Sequence, residues 1–157
     1  MNIKELIKTQ QKLDAAMFKK AGITEYPTNK IRIAYYVELG EALNEWAGFK
    51  YWKSSRKENR EALLEELADC LHFALSLEGH YKSNEYFYDI YEGKGDFLRA
   101  NPDEKYIYEN IEYCMQDDEY LGNTIALALS MGFTRKELVE AYYKKNNKNY
   151  ERIAGGY

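Results

Sequence analysis

Two acidic stretches of the sequence carry the side chains best suited to chemistry. The first holds Glu38 and Glu41, and the second holds Glu66 and Asp69. Because each residue of a helix turns by about 100°, the two members of each pair share one helix face. If two such helices pack side by side, their carboxylates repel each other unless a cation lies between them. Hard oxygen ligands favour Mg²⁺, particularly beside a phosphate substrate. The spacing therefore predicts a carboxylate metal site.

A third polar cluster lies near the end of the chain. Lys145, Lys148, Asn149 and Arg152 fall at positions i, i+3, i+4 and i+7, which form one stripe on a helix. A cationic stripe is what a polyphosphate needs, since arginine binds phosphate oxygens through two donors at once. The same cations also complement the negative end of a helix dipole, so the stripe alone leaves both interpretations open.

The elements that must position these side chains are all predicted to be helices. Apolar residues recur at helical spacing through most of the sequence, and we find no strand alternation and no internal repeat. The predicted helices span residues 3–20, about 28–48, 58–78, 84–92, 101–115, 118–131 and 134–152, with an aromatic and basic loop at 49–57. We expect one domain over residues 1–157, an all-α helical bundle whose four-helix core carries the carboxylate metal site.

Local signals indicate where three of these helices begin or end. Gly22 is expected to stop the first helix. Asn101, followed by Pro102 and two acids, is typical of an N-cap and a first turn. Thr134 and Glu137 have the spacing of a capping box.

Composition limits the class of protein. The chain has 157 residues, 45% of them hydrophobic and 31% charged, with a net charge of -4. That balance is typical of a globular protein and argues against broad nucleic-acid binding. No apolar run approaches membrane-spanning length and no signal peptide is evident, so we expect no membrane association and a cytoplasmic location. Cys70 and Cys114 lack metal-ligand spacing and are expected to be buried free thiols.

Each candidate residue also has a simpler structural interpretation. Acidic stripes are usually solvated helix faces, and a lone His72 is more often a hydrogen-bonded structural residue than a ligand. Phe73 alone would be a core residue, and Trp52 could anchor a loop. Composition and spacing therefore lead to an all-α protein with a carboxylate metal site, and no further.

The order of the motifs, however, resembles a known family. The sequence runs from Glu38-x-x-Glu41 through an aromatic Phe49-Lys50-Tyr51-Trp52-Lys53 segment to Glu66-x-x-Asp69-x-x-His72-Phe73. It closes with Lys145-x-x-x-Asn149-x-x-Arg152 and Gly156-Tyr157. This order is similar to that of the dimeric, all-α dUTPases, which belong with the MazG-like nucleotide pyrophosphohydrolases. The match runs from Gln10 to Tyr157, and residues 80–133 contribute little to it.

The resemblance implies a role for each of these residues. Glu38, Glu41, Glu66 and Asp69 would hold Mg²⁺ against the triphosphate, and one of them would orient the attacking water. The base and sugar pocket would be formed by Gln10, Trp52, His72, Phe73 and Asn149, with Phe73 stacking on uracil, and Asp14 would be a further substrate-binding residue. Lys145, Arg152 and Tyr157 would bind the phosphates. Asp14 stands where the family commonly has Asn, and Ile153 where it commonly has Gln.

The function that the resemblance implies is Mg²⁺-dependent hydrolysis of dUTP to dUMP and pyrophosphate by a homodimer. Two alternatives remain. One is a related pyrophosphohydrolase that acts on dCTP or a modified nucleotide. The other is a helical protein-interaction module that keeps only a vestigial site. Pyrophosphate release in the presence of magnesium separates the enzymes from the module.

Overall fold

The computed structural model describes residues 1–55, 57–81 and 103–155, and these form helices without any strand. The six helices of these residues are α1 (Ile3–Ala21), α2 (Thr28–Trp46), α3 (Arg60–Tyr81), α4 (Glu104–Gln116), α5 (Tyr120–Ser130) and α6 (Arg135–Gly155). The all-α prediction is confirmed for this part of the chain. The helix predicted at 84–92 lies outside the described residues. Within the described ranges, no helix is both long and apolar enough to cross a membrane.

Helix α3 lies at the centre of the fold, in contact with α1, α2, α5 and α6. Twelve of its residues are buried, and most of these fall between Leu67 and Gly79. Burial of that much apolar surface is the main stabilising contribution to such a bundle. The acidic residues of α3 are therefore carried by the helix whose position is fixed by the largest number of neighbouring helices.

Helix α5 completes the hydrophobic core. All of its residues from Tyr120 to Ser130 are buried, and the hydroxyls of Tyr35 and Thr124 are hydrogen-bonded at 2.9 Å, which links α2 to α5. Cys70 and Cys114 are buried free thiols, as predicted. Burial raises the pKa of Cys114 to about 12, which keeps this thiol protonated and unreactive.

Two of the predicted helix boundaries are confirmed in detail. Gly22 ends α1 in the left-handed region, with a φ of 66°, a conformation that favours glycine. At the start of α6, the backbone N–H of Glu137 donates to the Thr134 hydroxyl at 3.0 Å. The Glu137 carboxylate accepts from the Thr134 N–H at 2.7 Å. This reciprocal pair is the predicted capping box.

The predicted cap of α4 is wrong by two residues. The N-cap is Asp103 rather than Asn101, and its carboxylate accepts from the Lys105 N–H at 3.0 Å. Both residues are good caps, but the aspartate also places a negative charge at the positive end of the helix dipole. Asn101 and Pro102 lie outside the described residues.

Candidate active site

Three carboxylates from two helices lie close together. Glu38 projects from α2, and Glu66 and Asp69 project from α3. Each offers an oxygen atom within 4.8 Å of those of the other two, and all three side chains are partly buried. A group of this kind could bind a metal ion, because hard carboxylate oxygens are the ligands that divalent cations such as Mg²⁺ prefer. The side-by-side packing predicted for the acidic stretches is therefore present.

The electrostatics of this carboxylate group support the same interpretation. Burial, followed by the charges of Asp69, Glu41 and Glu66, raises the pKa of Glu38 to about 7. Burial also raises the pKa of Glu66 and of Asp69. Burial is the largest cause in all three residues, so their charged forms are poorly solvated, and a bound cation would stabilise them.

The fourth predicted acidic residue is placed differently. Glu41 is exposed on α2 and is not part of the close group of three. Its charge still contributes to the raised pKa of Glu38 and Glu66. Glu41 therefore acts on the site through its charge, without an oxygen atom in the close group.

A cation from α6 reaches the carboxylates. The Lys145 Nζ atom lies 2.5 Å from Asp69 Oδ2 and 4.0 Å from Glu65 Oε1. Although burial lowers the pKa of Lys145, the hydrogen bond to Asp69 and the nearby carboxylates raise it above its usual value. The lysine is therefore charged and forms a direct ion pair with one of the three clustered carboxylates.

A cavity of about 270 Å³ opens beside the carboxylates, enclosed by α1, α2, α3 and α6. These four helices supply the four-helix core that was predicted to carry the site. Eight of the predicted site residues line the cavity, namely Gln10, Asp14, Glu38, Asp69, His72, Phe73, Asn149 and Arg152. The rest of the lining consists of Leu13, Met17, Phe18, Ile31 and Ser76. The cavity thus joins acidic, amide and aromatic groups in one space.

A buried hydrogen-bond network forms one wall of the cavity. The Gln10 amide donates to Asp14 Oδ1 at 2.8 Å, and its oxygen accepts from the Tyr142 hydroxyl at 3.2 Å. His72 Nδ1 lies 2.7 Å from the same Gln10 oxygen. These contacts fix the orientation of the Gln10 amide, because its nitrogen must face a carboxylate and its oxygen must face donors.

His72 is held on both sides of its ring. Besides the Nδ1 contact, Nε2 lies 3.2 Å from the Tyr142 carbonyl oxygen, and the ring stacks on that of Tyr142 at 4.3 Å. Burial lowers the pKa of His72 to about 4, so the imidazole is neutral near pH 7. A neutral ring has a single N–H, so it can donate to only one of these two oxygens, that of Gln10 through Nδ1 or that of the Tyr142 carbonyl through Nε2.

Trp52 is not brought to the cavity. Trp52 lies on the loop between α2 and α3, 61% exposed. Its ring makes edge contacts with the rings of Phe49 and Tyr51. Tyr157 lies outside the described residues.

Sequence reasoning missed three polar residues that the structure brings to the site. Tyr142 is buried and holds Gln10 and His72, Ser76 lines the cavity, and Glu65 bonds Lys148 at 2.9 Å. Tyr142 precedes Lys145 by three positions and Asn149 by seven, so it lies on the same helical stripe. That spacing could have indicated it.

Comparison with known proteins agrees with this geometry. The sequence matches the family model described as dUTPase over residues 2–157, nearly the whole chain. No curated protein matches the chain. The family resemblance predicted from the motifs is confirmed by the family match.

Proposed function

The chain belongs to the dUTPase family, and from that premise we propose that it hydrolyses dUTP to dUMP and pyrophosphate in a Mg²⁺-dependent reaction. Family membership supports an enzyme of the dUTP diphosphatase type with a nucleotide substrate. The observation that carries the proposal is the close group of Glu38, Glu66 and Asp69 at the edge of a cavity lined by aromatic and amide side chains. Hydrolysis of a nucleotide requires a metal site for the phosphates and an adjoining pocket for the base and sugar.

The metal would be held by Glu38, Glu66 and Asp69, with Glu41 at the outer edge of the group. Mg²⁺ bound there would polarise phosphoryl oxygens and lower the pKa of a bound water molecule. Any one of these carboxylates can accept a hydrogen bond from the attacking water and so orient it. Water would then add to the α-phosphorus and pass a proton to the carboxylate that orients it, while the bond to the oxygen between the α- and β-phosphorus breaks and pyrophosphate leaves with the electron pair.

The phosphates would be bound by cations of α6. Arg152 lines the cavity and Lys145 reaches its acidic edge. Their positive charge would stabilise the negative charge that develops on the leaving pyrophosphate. Tyr157 remains a proposed member of this group.

The base and sugar would occupy the cavity beyond the carboxylates. Phe73 presents an aromatic ring on which uracil can stack, a contact worth roughly 1–3 kcal/mol per base. Asn149 offers an amide with a donor and an acceptor for the edge of the base. The Gln10, Asp14 and His72 network would hold the opposite wall in one arrangement, and Trp52 would add to the pocket only if its loop approached the cavity.

We also propose that the protein is a cytoplasmic homodimer and that residues 1–157 form one domain. Support for association comes from α2, where Ile33 and Val37, 63% and 51% exposed, lie one turn apart. An apolar groove of about 380 Å³ continues from this face, lined by Gly40, Leu43, Trp46, Phe49, Tyr108, Ile111 and Met115. Apolar surface of this extent commonly marks a protein–protein contact.

A nucleotide panel tests the proposed reaction. Purified protein with Mg²⁺ is offered dUTP, dCTP, dTTP, dATP, dGTP and UTP separately, and the products are identified. We expect dUMP and pyrophosphate from dUTP, with poor turnover of UTP and dTTP. EDTA should abolish the reaction. Pyrophosphate released from dCTP in preference to dUTP would support the alternative of a related pyrophosphohydrolase that acts on dCTP. Orthophosphate as the primary product would contradict the proposed bond cleavage.

A further inference from the structure

Lys145 occupies an unusual position for a residue proposed to bind phosphate. Its ammonium group is bonded to Asp69, one of the three clustered carboxylates, and the two side chains are only 13% and 19% exposed. A lysine whose role is only to bind a substrate phosphate would be expected to lie free in solvent when no substrate is bound. Here the cation already neutralises part of the charge that a metal ion would neutralise.

A second acceptor for this ammonium group lies within reach. Glu65 Oε1 is 4.0 Å from Lys145 Nζ, is not one of the three close carboxylates, and is held by Lys148 at 2.9 Å. Lysine has a flexible four-carbon stem whose ammonium group can change partner by rotation. Lys145 can therefore leave Asp69 without losing every anionic partner.

Competition for Asp69 follows from this arrangement. A divalent ion on the carboxylate group and an ammonium group bonded to Asp69 both stabilise the same negative charge, and they repel each other when both are present. Resting on the proposed function, we infer that Lys145 is an internal counter-cation of the metal-free site, which a divalent metal ion displaces from Asp69 and so releases for the substrate phosphates.

This arrangement has two consequences. The metal-free protein is stabilised by Lys145, because the partly buried carboxylates keep a counter-charge. Metal affinity is correspondingly reduced, because the metal must first displace the lysine. Since binding equilibria are reciprocal, any ligand that draws Lys145 away from Asp69, such as a phosphate group, strengthens metal binding to the same extent.

Calorimetric titration of the 157-residue protein with MgCl2 alone tests the inference. Lys145→Met should bind Mg²⁺ about tenfold more tightly than wild type and melt at a lower temperature in EDTA. Lys148→Met is the matched control, since it removes a lysine that bonds Glu65 and not Asp69. The control should leave the Mg²⁺ affinity within about twofold of wild type. A Mg²⁺ affinity of Lys145→Met equal to or weaker than that of wild type would overturn the inference.

A second measurement uses the wild-type protein and separates displacement from a general effect of charge. The ¹⁵N-labelled ammonium group of Lys145, assigned by its loss in Lys145→Met, should give a protected NMR signal in EDTA. That signal should move or broaden on addition of Mg²⁺. A Lys145 signal that is unchanged at saturating Mg²⁺ would also overturn the inference.

These readouts distinguish this inference from the proposed function. Wild-type protein that hydrolyses dUTP, while Lys145→Met shows no gain in Mg²⁺ affinity, would refute the counter-cation and keep the function. Mg²⁺ binding that releases Lys145, in a protein without dUTP hydrolysis, would support the counter-cation and refute the function. Absence of any Mg²⁺ binding would overturn the inference and the metal dependence together.

Discussion

Helices α5 and α6 both pack against α3, yet they are built in opposite ways. Every residue of α5 from Tyr120 to Ser130 is buried. Helix α6 is longer, spans Arg135–Gly155, and buries only Leu138, Tyr142 and Asn146. Helix α5 therefore contributes mainly to the core, whereas α6 presents polar side chains to the carboxylates and the cavity.

The difference shows how this fold separates stability from chemistry. Residues of α5 are buried along the whole helix, so its apolar side chains contribute to stability through burial. Helix α6 is anchored by a few buried residues, which leaves Lys145, Asn149 and Arg152 free to face the site. Tyr142, which anchors α6, also donates a hydrogen bond to Gln10 and stacks on His72. This residue therefore both holds the helix and positions side chains of the site.

The largest expected effect on stability comes from α5. Leu127 is fully buried, and Leu127→Ala should lower the free energy of unfolding by about 2–5 kcal/mol, because it leaves a cavity in a packed core. Hydrolysis of dUTP per folded molecule should stay close to that of wild type. Urea denaturation and activity at a temperature where the variant is folded measure the two quantities. A loss of activity in the folded variant would contradict the assignment of stability to α5 and of chemistry to α6.

A substitution in α6 should show the reverse pattern. Asn149→Ala removes an amide that lines the cavity, so we expect the ratio of kcat/KM for dUTP to that for dCTP to fall by about tenfold or more. Unfolding free energy should change by less than about 1 kcal/mol.

Asn147→Ala is the matched control for this variant. Asn147 is exposed on the same helix and does not line the cavity, so its replacement should leave the discrimination between bases unchanged. Wild-type selectivity in Asn149→Ala would show that Asn149 does not read the base.

The smallest effect concerns pH. Burial and the neighbouring acids raise the pKa of Glu38 from 4.5 to about 7, so the folded state holds a proton that the unfolded state has lost. Stability linked to Glu38 is therefore complete below pH 4.5 and is lost as the pH rises to about 7. In EDTA, melting temperature should fall more over this range in wild type than in Glu38→Gln. Equal pH dependence in the two proteins would contradict the raised pKa.

Much of the fold could be predicted from local sequence. Helix α1 ends at Gly22 and α6 begins at a capping box because glycine geometry and side-chain caps act over a few residues. The acidic pairs were also visible, since their spacing is a property of one helix. The cap of α4 was misplaced, because Asn101 and Asp103 are both good caps and local sequence does not decide between them.

The arrangement of the site could be predicted only in part. Which carboxylates meet depends on how α2 and α3 pack, and this brings Glu38 close to Asp69 while Glu41 stays exposed. The bond from Tyr142 to Gln10 and the ion pair from Lys145 to Asp69 join residues that are far apart in the sequence. Helical spacing can place Tyr142 and Lys145 on one face of α6, but the partner of each depends on tertiary packing.

The central claim is that the carboxylates between α2 and α3 are the hydrolytic centre, and one measurement tests it most directly. Pyrophosphate release from dUTP with Mg²⁺ is compared between wild type and Asp69→Asn, with the exposed Asp117→Asn as control. We predict a loss of about 10²–10³-fold or more in Asp69→Asn, comparable to removal of a principal charge-stabilising group, and wild-type rates in Asp117→Asn. Folded Asp69→Asn protein that releases pyrophosphate at a rate within a few-fold of wild type would contradict this account.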